Sequence, residues 1–189
     1  MLDISSGPVH ISVEEGIGGT SLCLSLAASV LQSDSRVIWL ARKPLDTKRT
    51  RDILSEVTES QLERFFIVEF GTKLLTRVND LSSLIGILNE SDLIVLDDWC
   101  PSSGRAPADD LEAVRKLISS TGNTRLILTS KAYESPSSDG EKWKSRGAQL
   151  SGLRQVWLLR EDGVRNYRKL IDRDLETNLV LNQTGFIAA

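Results

Sequence analysis

A glycine-rich turn between an apolar strand and an apolar helix constrains the fold of this chain more than any other stretch. The turn, residues 12–21, has the sequence Ser-Val-Glu-Glu-Gly-Ile-Gly-Gly-Thr-Ser. Residues 8–13 predict a short buried strand, and residues 22–31 are almost continuously apolar and predict a buried helix. Strand, glycine-rich turn and helix N-terminus is the arrangement that cradles a phosphate group, because backbone N–H groups and the helix dipole converge there.

The turn departs from the intact phosphate-binding pattern, which is G-x-x-x-x-G-K-[ST]. With Gly18 aligned on the second glycine, Val13 stands at the first glycine, Gly19 at the lysine and Thr20 at the last position. The missing lysine would reach the β- and γ-phosphates as a positive charge. The sequence therefore predicts a phosphate loop that has lost its charge.

Two acidic residues add to this loss of positive charge. Glu14 and Glu15 lie on the turn, where each carboxylate would repel a triphosphate by about 1 kcal/mol or more. Thr20 and Ser21 still offer a hydroxyl for a magnesium ion, and the glycines keep the turn permissive. We therefore expect no cofactor, or Mg-ATP that binds weakly. The alternative is a strand–turn–helix unit whose glycines serve only packing.

The composition disfavours several classes of protein. The chain has 189 residues, which suits one α/β domain over residues 1–189, and its net charge of −3 gives no overall basic field for nucleic acid. Cys23 and Cys100 form no C-x-x-C pair and His10 is the only histidine, so zinc sites, disulfide frameworks and histidine-based triads are disfavoured. Because no signal peptide or long apolar run occurs, we expect a cytoplasmic protein without a membrane segment.

Four further apolar segments predict strands that alternate with helices. The predicted strands are residues 36–41, 65–70, 92–98 and 124–129, and the predicted helices are residues 52–58, about 78–89 and 107–120. Strands rich in Val, Ile and Leu that alternate with helices are typical of a mainly parallel sheet covered on both faces. The predicted fold class is therefore α/β with a central parallel sheet flanked by helices.

The pattern changes after Ser130. Residues 131–147 form a polar segment that predicts a long loop. Beyond it, two alternating segments flank Glu161-Asp162-Gly163, which is a hairpin signal. Residues 178–181 and 185–187 predict a last hairpin. Antiparallel strands are thus expected at the C-terminal end of the sheet.

Residues 42–51 carry the densest charge of the chain. Five of these ten residues are basic and one is acidic, which gives a local charge of +4. The segment follows a predicted strand at the carboxyl edge of the sheet, where ligands bind in such folds. One interpretation is a surface that contacts phosphates, either of DNA or in place of the missing lysine; the other is a solvated loop and helix start. The basic residues are Arg42, Lys43, Lys48, Arg49 and Arg51.

The polar segment 131–147 is the second candidate for nucleic-acid contacts. Its four cations are offset by three acids, which leaves a charge of +1. Tyr133 and Trp143 lie among these charges and are suited to stack on the bases of a single strand, although either ring can equally pack against the sheet. The four cations are Lys131, Lys142, Lys144 and Arg146.

The order of these elements resembles the ATPase core of the RecA/RadA recombinase superfamily, and most nearly its short, core-only RadB-like paralogues. Residues 16–21 stand at the Walker A position, and residues 93–97, Leu-Ile-Val-Leu-Asp, resemble Walker B, whose acid in the family helps to hold magnesium. The polar segment stands where the family keeps its second DNA-binding loop. The resemblance implies a RecA-like P-loop NTPase core with a degenerate nucleotide site at Gly16, Gly18, Gly19, Thr20, Ser21 and Asp97.

The chain departs from the family at the residues that hydrolyse ATP. The family's catalytic glutamate lies just after the second strand, where this chain has Arg42-Lys43-Pro44 and no acid before Asp46. Loss of both the Walker lysine and this base implies a core that no longer hydrolyses ATP at a useful rate. Asp97 in turn is either a functional acid or an ordinary strand end.

The sequence leaves three functions open. The leading hypothesis is a pseudo-ATPase that acts as an accessory or mediator protein in homologous recombination and DNA repair, and binds single-stranded DNA, a recombinase, another RecA-fold paralogue or a SWIM-domain protein. The second is a weak or conditional ATPase in which Lys43 replaces the Walker lysine. The third is a structural subunit of a RecA-fold complex, with a SWIM-domain partner or Elongator-like. The predicted DNA contacts are Arg42, Lys43, Lys48, Arg49, Arg51, Lys131, Lys142, Trp143, Lys144 and Arg146.

Overall fold

The apolar segments form a large sheet in which the strands of the N-terminal part run parallel. The structure is a computed structural model that describes residues 2–135, 142–147, 150–161 and 166–189. Its strands are β1 (Val9–Val13), β2 (Val37–Ala41), β3 (Phe65–Glu69), β4 (Leu93–Asp97), β5 (Arg125–Glu134), β6 (Trp143–Ser145), β7 (Arg154–Arg160), β8 (Tyr167–Asp172), β9 (Leu175–Asn182) and β10 (Gly185–Ala188).

The strand order confirms the predicted fold class. Among the described residues the order is β10-β9-β8-β7-β1-β5-β4-β2-β3, with β6 paired to β5. The six strands from β7 to β3 are parallel, and β8, β9 and β10 add to β7 in antiparallel fashion. The carboxyl ends of β1, β4 and β5 therefore meet at one edge near the middle of the sheet, where α/β folds bind ligands.

Helices cover both faces of the sheet. They are α1 (Gly19–Gln32), α2 (Thr47–Ile53), α3 (Glu59–Leu62), α4 (Leu74–Asp80), α5 (Ser82–Ile85) and α6 (Ala108–Ser120). Side chains of β2 alternate between two apolar clusters, with Trp39 facing the cluster of α1 and Leu40 facing the cluster of α4 and α6. Central strands buried on both faces explain why these segments are continuously apolar in sequence.

Two helices differ from the predicted boundaries. The helix predicted over residues 52–58 begins earlier, at Thr47, because the Asp46 side chain accepts a hydrogen bond from the Arg49 N–H at 2.7 Å and caps it. The helix predicted over about 78–89 is instead the two short helices α4 and α5. The short helix α3 was not predicted from sequence. None of the described helices has the length and apolar character that a membrane span requires.

The prediction of a loop over residues 131–147 is wrong for residues 131–134 and 143–145, which lie in strands. Strand β5 continues to Glu134 and pairs with β6 in antiparallel register, with Ala132 opposite Ser145 and Glu134 opposite Trp143. We call β6 and residues 131–134 of β5 the ribbon. Residues 136–141 lie outside the description, and so does the predicted Asp162-Gly163 turn between β7 and β8.

Candidate functional site

The glycine-rich turn connects β1 to α1 at the carboxyl edge of the sheet. Gly16 and Gly18 have φ angles of 76° and 101°, so both occupy the left-handed region that favours glycine. Helix α1 begins at Gly19 without a side-chain cap. The first N–H groups of a helix lack intrahelical acceptors, and the turn therefore presents backbone donors to a ligand at this edge.

The side chain of Val13 would clash with any residue larger than glycine at position 19. A Cβ atom built on Gly19 would lie 2.8 Å from Cγ2 and 2.9 Å from Cγ1 of Val13. Val13 is itself buried. The valine at the first-glycine position thus occupies the space in which a lysine side chain would begin, and the two departures from the phosphate-loop pattern are sterically coupled.

Asp97, at the end of β4, is buried and hydrogen-bonded to the turn. Its carboxylate accepts a hydrogen bond from the Thr20 hydroxyl at 2.9 Å and another from the Thr129 hydroxyl at 2.7 Å. Burial raises the pKa of Asp97, whereas the two hydroxyl donors and the positive charge of Lys131 act in the opposite direction. The predicted Walker A and Walker B residues therefore do lie together.

Two adjoining clefts open beside this contact. One has a volume of about 390 Å³ and is bounded by the start of α1, the segment after β2 and the first turns of α2. The other has a volume of about 170 Å³ and is bounded by the glycine-rich turn. The two clefts share Thr20, Asp97, Asp98 and Lys131. We refer to both together as the central cleft.

Arg42 is built into the protein at the position after β2. Its guanidinium donates to the carbonyls of Asp98 and Gly71, both at 2.9 Å, and forms an ion pair with Asp110 at 2.8 Å. It also lies 5.0 Å above the ring of Phe70. These contacts use the guanidinium to join the ends of β3 and β4 to α6, so a phosphate contact by Arg42 would have to compete with them.

The other basic residues of segment 42–51 divide into one tethered and three exposed side chains. Arg49 donates from Nε to the Ser21 hydroxyl at 3.0 Å and from Nη1 to the Gln183 carbonyl at 2.7 Å. Its side chain therefore joins α2 to α1 and to the C-terminal strands. The exposed cations are Lys43, Lys48 and Arg51.

The expected repulsion between Glu14 and a bound phosphate is not supported. The Glu14 carboxylate accepts hydrogen bonds from the Arg160 backbone N–H at 2.8 Å and from its Nε at 3.2 Å. Glu14 lines a groove beside β7 and not the central cleft. Arg160 therefore balances the charge of Glu14, a pairing that the sequence did not predict. Glu15 is exposed.

Both aromatic rings of the ribbon contact a nearby cation. The Lys142 ammonium lies 5.8 Å from the ring of Trp143 and 3.5 Å from the Glu134 carboxylate. The Arg146 guanidinium lies 4.8 Å above the ring of Tyr133. Stacking of these rings on bases would thus replace existing cation–π contacts, each worth about 0.5–1 kcal/mol at exposed sites.

The remaining two predicted contacts occupy different places. Lys144 is exposed on β6. Lys131 lies at the base of the ribbon, pairs in backbone register with Val13 of β1, and lines the central cleft. The structure thus brings Lys131 to the glycine-rich turn, whereas the sequence placed it with the residues of the polar segment.

A buried polar network that sequence reasoning missed connects β1 to the ribbon. His10 Nε2 lies 2.9 Å from the Ser130 hydroxyl and accepts a hydrogen bond from the Trp99 indole N–H at 3.3 Å. The hydroxyl of Ser145 on β6 lies 3.2 Å from that of Ser130 and accepts from Ser12 at 2.6 Å. Burial lowers the pKa of His10 to about 4, which keeps the ring neutral. The signals in the sequence were polar residues within or directly after predicted strands, namely His10, Ser12 and Ser130.

Comparison by sequence identifies no relative. No protein-family model matches the chain, and no curated protein matches it in sequence. Family membership is therefore not established by sequence.

Comparison by structure gives many similar folds. The alignment with the RadB recombinase covers 97% of this chain and 90% of the recombinase chain, with 13% identity and a TM-score of 0.72. A KaiC-like protein from Pyrococcus horikoshii covers 97% and 89%, with 15% identity and a TM-score of 0.64. The flagellar accessory protein FlaH from Methanocaldococcus jannaschii covers 97% and 89%, with 15% identity and a TM-score of 0.61. At such identities the likeness shows the fold alone, and these proteins differ in function.

Proposed function

We propose that this chain, which has the RecA-like fold of these proteins, has an accessory role in homologous recombination or DNA repair. In this role it binds single-stranded DNA and does not go through a cycle of ATP hydrolysis. The observation that carries the loss of ATP hydrolysis is that Val13 fills the space in which a lysine side chain at position 19 would begin. One of the proteins of similar fold is the RadB recombinase, which supports the choice of DNA as ligand.

Loss of hydrolysis is supported at a second position. The RecA family's catalytic glutamate follows the second strand, and the corresponding residue here is the arginine Arg42. Its guanidinium is held by carbonyl groups and by Asp110, so it supplies structure at this position and cannot act as a general base. Asp46, the next acid along the chain, caps α2 through the Arg49 N–H.

DNA binding is supported by the exposed cations around the central cleft. Lys43 lines the same cleft as Lys131, so the basic segment approaches the base of the ribbon. Lys48 and Arg51 are exposed on α2, and Lys144 is exposed on the ribbon. Because the net charge of the chain is −3, binding would depend on this local excess of positive charge.

The proposal is tested by fluorescence anisotropy of an internally labelled, 5′-hydroxyl single-stranded oligonucleotide. We expect binding that is independent of Mg-ATP and weakens with salt, and the variant Lys48→Ala/Arg51→Ala should lower both the affinity and the salt dependence. Each lost phosphate contact reduces the slope of log K against log salt by about 0.7 on a single strand. The matched control is Arg115→Ala/Lys116→Ala, which removes two exposed charges from α6.

One outcome of this experiment would favour an alternative function, and another would contradict the proposal. Binding or thermal stabilisation that requires Mg-ATP and is lost in Lys43→Ala would indicate a conditional ATPase with Lys43 as substitute lysine. Absence of DNA binding under all conditions would contradict the proposal.

An interaction surface on the sheet edge favours the structural subunit as second candidate. Strand β3 ends the sheet, and its side chains Phe66 and Ile67 are 40% and 47% exposed. An exposed apolar edge strand is a template for pairing with another chain. Co-purification with a RecA-fold or SWIM-domain protein that Ile67→Lys abolishes, without any DNA binding, would support this candidate.

A further inference from the structure

We propose that the network of His10, Ser12, Ser130 and Ser145 is a latch that holds the ribbon against β1, and that these four are positioning residues for the binding of single-stranded DNA. The inference rests on the proposed function, in which the ribbon carries part of the DNA surface. It goes beyond that function because the latch acts through the position of the ribbon and not through contacts with DNA. All members of the latch belong to the chain itself, so the ribbon is held without a bound nucleotide.

The ring of His10 anchors the latch in the core. The indole N–H of Trp99 donates to Nε2 of this ring at 3.3 Å, and because an indole N–H can only donate, Nε2 is the acceptor. The Ser130 hydroxyl lies 2.9 Å from the same nitrogen and therefore also donates to it. All three side chains are buried. Water cannot replace a partner that is lost there, so each of these hydrogen bonds matters for the position of the groups that it joins.

Ser145 connects the ribbon to this anchor. Its hydroxyl oxygen accepts a hydrogen bond from the Ser12 hydroxyl of β1 at 2.6 Å and lies 3.2 Å from the Ser130 hydroxyl of β5. The side-chain amide of Gln155 on β7 donates to Ser12 at 2.8 Å, which leaves the Ser12 proton free to point at Ser145. A single hydroxyl of β6 is thus linked to three neighbouring parallel strands.

The ribbon depends on such a link because its own strand pairing is short. Residues 132–134 of β5 pair with β6 and, among the described residues, with no other strand. Two strands that pair over three residues are marginal in water without support from outside. We therefore expect the position of the ribbon to depend on Ser145.

The latch and a cation of the DNA surface occupy opposite faces of β6. Lys144 directly precedes Ser145 and is exposed, and successive side chains of a strand point to opposite faces. A ribbon that is already held in place loses less conformational entropy when it binds a ligand. Loss of the latch should therefore weaken DNA binding without removal of a phosphate contact, so that the affinity falls and its salt dependence stays the same.

The latch is tested first without DNA, by hydrogen exchange of backbone amides measured by NMR. The Arg146 N–H donates to the Lys131 carbonyl at 2.8 Å and reports on the ribbon. We expect it to exchange about tenfold faster in Ser145→Ala, which is roughly the effect of one lost buried hydrogen bond. The amides of the buried strand β4 report on global unfolding and should change much less.

Two further variants serve as controls for the exchange experiment. Ser145→Thr keeps the hydroxyl group and should restore slow exchange of the Arg146 N–H. Ser83→Ala removes an exposed hydroxyl group from α5 and should leave the exchange of the ribbon and of β4 unchanged.

The DNA role is tested by anisotropy with the 5′-hydroxyl oligonucleotide. We expect Ser145→Ala to bind about threefold or more weakly at each salt concentration, with an unchanged slope of log K against log salt. Lys48→Ala/Arg51→Ala should instead lower the slope, since it removes charges. Ser145→Thr should restore the affinity, and Ser12→Ala, which removes the other partner of the 2.6 Å hydrogen bond, should behave like Ser145→Ala.

The latch is overturned if Ser145→Ala accelerates the amides of the ribbon and of β4 by the same factor, because the network would then contribute to global stability alone. It is also overturned if neither set of amides changes. The DNA role is overturned if Ser145→Ala exchanges faster at the Arg146 N–H and still binds DNA as tightly as wild type. Absence of DNA binding by the wild type would contradict the proposed function and the DNA role together, whereas the exchange of the Arg146 N–H would still decide whether the latch exists.

Discussion

Val13 and Gly19 form a pair whose effects on stability depend on each other. Gly19→Ala adds one methyl group that would overlap both γ-carbons of Val13, so we expect a loss of about 1–3 kcal/mol in the free energy of unfolding. In the Val13→Ala background the same change should cost less, because the γ-carbons are gone. Urea denaturation of the two single variants and the double variant measures this coupling.

The control for this cycle is Gly86→Ala. A Cβ at Gly86 would meet only backbone oxygens at 3.5 Å and 3.6 Å, which is ordinary contact, and alanine should be neutral or stabilising there. Additive effects of Val13→Ala and Gly19→Ala would contradict the steric coupling, and with it the account of why the lysine is absent.

Asp97 is a carboxylate that the fold retains at a cost in stability. Since burial raises its pKa above the unfolded value, the folded state loses stability as the pH rises through that raised pKa. We therefore expect Asp97→Asn to raise Tm at neutral pH. The gain should shrink as the pH falls toward the ordinary Asp value of 3.8.

Scanning calorimetry across this pH range distinguishes the effect from a general change of charge. The control Asp174→Asn removes the charge of an exposed acid and should show no such pH dependence. A destabilised Asp97→Asn at neutral pH would mean that the hydrogen bonds from Thr20 and Thr129 outweigh the cost of burial.

At the scale of elements, the parallel strands were predictable because a buried strand has an apolar local sequence. Strand β2 and residues 93–96 of β4 are buried at every position and are continuously apolar. The extension of β5 to Glu134 was not predictable, since its last residues, 132–134, pair with the three residues of β6. The ribbon depends on the pairing of two separate strands, and no local sequence pattern predicts it.

The candidate site was predictable in type and not in composition. The glycine-rich turn and Asp97 follow from local patterns, and the parallel order of the strands brings them together. The roles of Arg42, Arg49 and Lys131 depend on side chains that meet from separate elements. The sequence shows that all three residues are basic. Only the structure shows that Arg42 and Arg49 are held by hydrogen bonds and that Lys131 lies beside the turn.

The ribbon is anchored at its base by Trp99. Gly147 has a φ of 104°, and a Cβ there would overlap the Trp99 indole, whose N–H is bonded to His10. We expect Gly147→Ala to destabilise the protein and to change the tryptophan fluorescence of the folded state. The control Gly104→Ala has a φ of 77° with nothing near its Cβ, so it measures backbone strain alone.

The comparison separates overlap from strain. Left-handed backbone costs a residue with a Cβ about 1–2 kcal/mol, and we expect Gly147→Ala to exceed Gly104→Ala by at least that much in urea denaturation. Equal effects of the two variants would show that the ribbon does not depend on its contact with Trp99.

At the scale of the molecule, the C-terminal strands are part of the same folding unit as the glycine-rich turn. Phe186 of β10 is buried with the core of α1, and its N–H donates to the Ser25 hydroxyl at 2.9 Å. The buried Arg168 of β8 donates to the Ile17 carbonyl of the turn at 3.1 Å. The antiparallel strands thus contact both α1 and the glycine-rich turn.

This connection predicts cooperative unfolding of the chain as one domain. Far-ultraviolet circular dichroism, which reports on the whole backbone, and tryptophan fluorescence, which includes the buried Trp39 of β2, should give coincident transitions in urea. Truncation of a buried phenylalanine costs about 3–5 kcal/mol, so Phe186→Ala should lower the midpoint of both. Transitions that separate in the wild-type chain would instead show that the antiparallel part unfolds independently.

The neighbouring residue supplies the control and decides what the loss means. Ile187 lies next to Phe186 on β10 but is 51% exposed, and Ile187→Ala should therefore leave the midpoint nearly unchanged. A lower midpoint in Phe186→Ala alone would show that β10 stabilises the domain through the core that it shares with α1. Equal midpoints for the two variants would instead show that the burial of Phe186 against α1 does not hold the antiparallel strands to the parallel part of the sheet.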